Sequence, residues 1–233
     1  MTTIKVHNEQ DIINKLTLYI QKISNDSIYT RGKFYIGLSG GSVVKYLSEG
    51  LPKLSTDWSK WVLAFCDERV VPEESPDSTF GTYKRQLIPK TTLNEDQFLS
   101  IKQGVTAEEA AKDYAEKLNK VFNGEDIKFD LLLLGMGPDG HTCSLFPAHP
   151  LLQENKLTVA SITNSPKPPP ERITLTYPVI NNARNCIFAI SGASKAEMIK
   201  RILLDKEELP AGQVKPHTGS LYWIVDDAAA KYL

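Results

Sequence analysis

The chain has 233 residues, 41% of them hydrophobic, with 27 basic and 28 acidic side chains and a formal charge of -1. That length and apolar content suit a single α/β domain over residues 1–233, with no linker long enough to divide it. The balanced charge shows no dense basic stripe and no apolar run nears the roughly 18 residues of a membrane span, so neither nucleic acid nor membrane is an expected partner.

Short apolar runs alternate with segments of helical period. A strand is expected at Ile4–Val6, followed by a helix in NEQDIINKLTLYIQKIS with Ile12, Leu16, Tyr19, Ile20 and Ile23 on one face. Strands follow at Lys33–Leu38 and Val62–Cys66. The next helix, TAEEAAKDYAEKLNKVF, opens with a capping box of Thr106 and Glu109. Further strands are expected at Phe129–Leu134, Thr158–Ile162 and Arg172–Thr176, the last preceded by SPKPPPER, whose prolines hold it as a stiff loop. After a strand at Cys186–Ile190, SKAEMIKRILL carries a second capping box, Ser194 and Glu197, and Leu221–Val225 is the last strand. This alternation predicts a mostly parallel sheet covered by helices on both faces. Cys66, Cys143 and Cys186 are odd in number and scattered, and MTTIKVHNEQ has no basic n-region before an apolar core, so a cytoplasmic protein with reduced thiols is expected.

In such sheets ligands gather outside the carboxyl ends of the strands. In IGLSGGS, Ser39, Gly40, Gly41 and Ser42 form a turn whose amides and helix start suit an anion such as phosphate, or simply make a tight connection. The same stretch fits G-x-S-x-G with Ser39 as nucleophile, which leaves a serine hydrolase open. Against it, the only nearby acid and imidazole, Asp139 and His141, come from one turn. In FCDERVVP, Asp67, Glu68 and Arg69 are either a solvated loop or a carboxylate–guanidinium substrate clamp.

LLLLGMGPDGHTCSLFP also fits G-x-G-x-x-G, but Asp139 would face the phosphates and no acid ends the next strand, so a dinucleotide is not expected. Its alternative reading is chemical: Asp139 orients the His141 ring, which takes a proton from water near neutral pH. Lys167 and Arg172 flank the prolines. Lys195 sits at a helix start, where the macrodipole disfavours a cation unless an anion lies near. His7, His149 and His217 read as structural or exposed.

GLSGGS, FCDERVVP, LLLLGMGPDGHTCSLFP, SPKPPPERITLT and PHTGSLYWIVDDAAA together resemble the 6-phosphogluconolactonase family, in its order and spacing, from about Lys33 onward. The resemblance implies a Rossmann-like α/β fold shared with glucosamine-6-phosphate deaminase and ribose-5-phosphate isomerase, and hydrolysis of a phosphorylated sugar lactone without metal or cofactor. It places the substrate phosphate at Ser39, Gly40, Gly41 and Ser42, aided by Arg69 and the SPKPPPER segment, and assigns water activation to His141. A lysine matching Lys195 binds phosphate in the deaminases. Those relatives also carry a glutamate shortly after the D-G-H run, where this chain has Leu145, Phe146 and Pro147. A sugar-phosphate deaminase or isomerase, or a non-catalytic sensor of the same fold, is the competing expectation. A monomer, or at most a weak homodimer, is expected.

Overall fold

All eight expected strands are present in the computed structural model, which describes residues 1–233, and a ninth joins them. In chain order the elements are β1 (Thr2–Val6), α1 (Glu9–Arg31), β2 (Phe34–Leu38), α2 (Ser42–Gly50), β3 (Trp61–Phe65), β4 (Asp67–Arg69), α3 (Thr79–Gln86) and α4 (Ala107–Val121). There follow β5 (Leu131–Leu134), β6 (Val159–Ile162), β7 (Arg172–Leu175), α5 (Tyr177–Ile180), β8 (Asn185–Ile190), α6 (Ala196–Leu203) and β9 (Ser220–Asp226).

The main sheet has the order β1-β9-β8-β5-β2-β3, and every neighbouring pair is parallel. Its central strand is the four-leucine run, each residue of which is buried. A strand covered on both faces has no reason to alternate, and β5 does not. At its base, Asp130, 1% exposed as a side chain, accepts from Arg31 Nε at 3.0 Å and from the Tyr35 amide at 2.9 Å. That ion pair and amide bond fix where β5 begins, and so where it ends.

Two of the expected strands lie outside this sheet. β6 and β7 pair antiparallel with each other, and β7 pairs with the unexpected β4 to give a three-stranded sheet β4-β7-β6. The physical reason is the short proline-rich connection over 163–171, since a parallel return needs a crossover of about a dozen residues or more. β4 itself is three charged residues, DER, which carry no apolar signal of a strand.

Helix ends follow their caps where the caps form. Asn8 accepts from the Asp11 amide at 3.0 Å at the start of α1, and Gly32, at φ 77, closes it eight residues after Ser24, where the expected face stopped. Ile12, Leu16 and Ile20 are buried as expected, with Tyr19 and Ile23 packed at the margin. The Thr106–Glu109 capping box is formed. The Ser194–Glu197 box is not: residues Ala193–Lys195 wind into a 3-10 turn, and Lys195 is the N-cap of α6. The turn is held from elsewhere. Asp226, at the end of β9, accepts from Ser191 Oγ at 2.6 Å and from the Gly192 amide at 3.1 Å, so the chain enters α6 without a serine cap.

One hydrophobic cluster of 60 buried residues joins the sheet to its helices. No helix is long and apolar enough to cross a membrane.

Candidate active site

The carboxyl ends of β2, β5 and β8 meet the β4–β7 ribbon around a cleft of about 220 Å³. Ser39, Gly40, Gly41, Ser42, Asp67, Arg69, His141, Arg172 and Lys195 all line it. Of the expected site residues, Asp139 and Lys167 do not, both standing behind or beside His141, and neither does Glu68 of the DER triplet.

On the β2 side, Gly41 caps α2 and the first amides of that helix have no intrahelical partner. They present a donor-rich, partially positive surface, suited to phosphate. The turn is anchored by Tyr83, whose hydroxyl donates to the Ser39 carbonyl at 2.9 Å. The Ser39 hydroxyl is buried and has no hydrogen-bond partner, so no serine–histidine pair exists here. A nucleophilic serine needs that pair.

The β5 side carries the imidazole. The Gly137 amide donates to the His141 carbonyl at 2.8 Å and the Gly140 amide to the Gly137 carbonyl at 3.1 Å, folding the loop back on itself. His141 then lies directly against Gly137: a Cβ there would come within 2.0 Å of the ring. The middle glycine of the apparent dinucleotide fingerprint instead makes room for an imidazole. His141 Nδ1 and Asp139 Oδ1 are 2.5 Å apart, which leaves Nε2 as the ring nitrogen available to a ligand or water. Burial pulls the His141 pKa below its ordinary value, with the Asp139 hydrogen bond and charge opposing it. Burial pushes the Asp139 carboxyl up, but the hydrogen bond and charge of His141, with the Lys167 charge, together outweigh it and leave that pKa below the usual range. The result is a neutral, oriented imidazole around pH 7.

Phe146 was not singled out by the sequence. It is fully buried, its ring centroid lies 4.6 Å from that of His141, and the Arg172 guanidinium sits 5.6 Å from its centre. One aromatic ring thus supports both the imidazole and an arginine. Leu145 is buried beside it, and positions 145–147 hold no acid.

The β4–β7 ribbon explains the DER triplet. Asp67 pairs with Thr174, Glu68 with Ile173 and Arg69 with Arg172. Side chains alternate along a strand, so Asp67 and Arg69 share one face, toward the cleft, and Glu68 takes the other. Glu68, 1% exposed, accepts from the Arg69 and Thr79 amides at 2.8 Å and from the Phe80 amide at 2.7 Å. It is therefore an anchor for the first turn of α3, not a ligand group. Arg69 and Arg172 stand opposite each other, an arrangement of like charges that costs stability unless an anion lies between them. Burial first, and Arg69 second, draw the Arg172 pKa down. The Arg69 Nε is buried without a partner.

Lys195 reaches across from α6 to donate to the Met136 carbonyl at 2.7 Å. Burial and then the charge of Lys167 lower its pKa, so it too is a cation lacking enough anion around it. Lys167 lies 3.8 Å from Asp139 Oδ1, at the rim and not in the lining. Cys143 is buried but also lines the cleft; Cys66 and Cys186 are buried in the core. No three His, Cys, Asp or Glu side chains are grouped as a metal site would need.

A parallel α/β sheet with an amide-rich turn, three cations and an acid-oriented histidine at its carboxyl edge defines an enzyme site for an anionic small molecule. The chain belongs to the glucosamine-6-phosphate isomerase/6-phosphogluconolactonase family, whose pattern it matches over residues 7–223. A human 6-phosphogluconolactonase is 52% identical over 211 residues, 87% of this chain and 82% of the relative. A probable 6-phosphogluconolactonase of Drosophila melanogaster is 43% identical over 96% of this chain and 92% of its own. The solved 6-phosphogluconolactonase of Trypanosoma brucei superposes with a TM-score of 0.84 at 26% identity, covering 100% of this chain and 99% of that one.

Proposed function

We propose that the protein hydrolyses 6-phospho-D-glucono-1,5-lactone to 6-phospho-D-gluconate, the lactonase step of the oxidative pentose phosphate pathway, in the cytosol. The relatives' names support the substrate. The observation that carries the mechanism is the 2.5 Å contact of Asp139 with His141 inside a cation-lined cleft.

The phosphate sits on the amides of Gly40, Gly41 and Ser42, within reach of the cations, and its binding holds the remote carbonyl in place. His141 Nε2 removes a proton from water as the water attacks the ring carbonyl, while Asp139 steadies the imidazolium that forms. Arg69 stabilises the oxyanion, a contribution of about 3 kcal/mol for one such donor. The protonated ring then returns its proton to the departing ring oxygen. No group in this scheme is a metal or cofactor.

Two features favour hydrolysis over the sister chemistry and over a serine esterase. Positions 145–147 carry no acid for ring opening, and the Ser39 hydroxyl has no base beside it. The three buried free cysteines support a reducing compartment. The test is acid release from freshly generated lactone, with chelator present, by wild type and His141→Ala. Chelator-resistant turnover that falls at least about a hundredfold in the variant is expected. A variant of near-wild-type activity would remove His141 from its role, and a wild type no faster than spontaneous hydrolysis would end the lactonase reading.

A further inference from the structure

Ser144 belongs to the same loop as His141, three residues further on, yet its side chain never reaches the cleft. It is 0% exposed. The residue before it, Cys143, adopts φ 51, a left-handed conformation uncommon for a side chain of that kind, and this turns Ser144 inward toward the second sheet. There it makes three contacts with the cleft-facing side of the β4–β7 ribbon. Its amide donates to Thr174 Oγ1 at 3.2 Å, its hydroxyl donates to Asp67 Oδ2 at 2.8 Å, and Arg172 Nη1 lies 3.5 Å from the same hydroxyl oxygen.

The ribbon register gives these contacts their meaning. Asp67 and Thr174 are directly opposed, and Arg69 and Arg172 are the next same-face pair along the ladder. Ser144 therefore plugs into the centre of a four-residue face that ends in the two arginines. The other grips on Arg172 come from the proline loop, where the Lys167, Pro168 and Pro169 carbonyls accept from its guanidinium at 3.0 Å. Those hold the arginine to its own sheet. Ser144 supplies the hydrogen bonds between the ribbon's polar face and the loop that bears the imidazole, beside the ring contact of Phe146 with Arg172.

We propose that Ser144 is a positioning residue that sets the His141 imidazole relative to Arg69 and Arg172, so that water, carbonyl carbon and oxyanion contact fall into line. The proposal rests on the reading of His141 as the base. Its consequence is a division of labour: substrate anchoring belongs to the Gly40–Ser42 amides and Lys195, and alignment of the reacting atoms belongs to the seam under Ser144. Loss of the seam affects turnover more than binding, since small misplacements of reacting groups reduce rate steeply while the remote anchor stays intact.

The experiment is steady-state hydrolysis of 6-phosphogluconolactone by Ser144→Ala, with folded fraction fixed by circular dichroism. Thr174→Val, nearly equal in shape, is the second variant; it removes the acceptor of the Ser144 amide and answers the question if Ser144→Ala does not fold. His141→Ala is run beside them. The expected result is a kcat about tenfold lower per folded molecule, with KM within about twofold of wild type. A purely structural serine would lower the melting temperature and leave kcat per folded molecule unchanged, and a raised KM at unchanged kcat would make it a binding prop; either overturns the proposal. If His141→Ala is itself active, the failure lies in the assignment of the base and takes this proposal with it.

Discussion

Replacing Asp139 by Asn tests the imidazole's electrostatics with almost no change in shape. The amide oxygen can still accept from Nδ1–H, so the ring keeps its orientation and loses mainly the charge that steadies the imidazolium. The bonded atoms are 2.5 Å apart. With charge centres about 4 Å apart and an effective dielectric of about 20, the attraction is about 4 kcal/mol. The Asp139 side chain is 34% exposed, and solvent screening brings the useful part to about 1–2 kcal/mol. Turnover at pH 7.5 is then expected to fall about five- to thirtyfold. The sign of the pH effect is also fixed. Burial lowers the His141 pKa and Asp139 raises it, so the variant's imidazole titrates lower still, and the acidic limb of kcat/KM moves down by about one pH unit. A pH-stat series on the lactone, from pH 5 to 8, reads both quantities. Activity above half of wild type with an unmoved limb, or a limb that moves upward, would refute the role given to Asp139.

Ser39→Ala is expected to retain most activity and an unchanged melting temperature, because the hydroxyl removed is buried and unpartnered; abolished hydrolysis would instead indicate a serine nucleophile. Glu68→Gln should lower stability by about 2 kcal/mol. The Phe80 amide loses its acceptor, while relief of the burial that pushes the Glu68 carboxyl up offsets part of the loss. In a thermal melt that is about 4–8 °C, and a shift under 2 °C would mean the carboxylate is not what fixes the start of α3.

The sequence carried the active edge well because glycines, charges and strand ends are local signals. LLLL followed by GMGPDGH announces a buried strand and a polar turn without any tertiary information. Asp67, Arg69 and Lys195 were legible for the same reason, standing just after a strand or at a helix start, and Arg172 because it flanks the proline run. What the sequence concealed lies in pairings between distant segments. β4 has no apolar residue to mark it as a strand, and it exists because β7 supplies its partners. Ser144 and Phe146 sit in a stretch read for its histidine, and nothing local says that one turns under the cleft while the other supports two functional rings. The unformed Ser194 cap shows the reverse: a good local signal lost to Asp226, which holds the turn from another strand.

The order of the main sheet bears on how the enzyme comes into being. β1 pairs with β9, and β5 stands between β2 and β8, so each wall of the cleft waits on chain far away in sequence. Closing such long loops is slow compared with winding helices. The Ser39 turn emerges early in synthesis, yet the turn that aims Lys195 is secured only once Asp226 has docked. Residues 39–69 carry the amide turn, Asp67 and Arg69, but the imidazole, Arg172 and Lys195 all come from later chain. Competence arrives all at once, with the last strand.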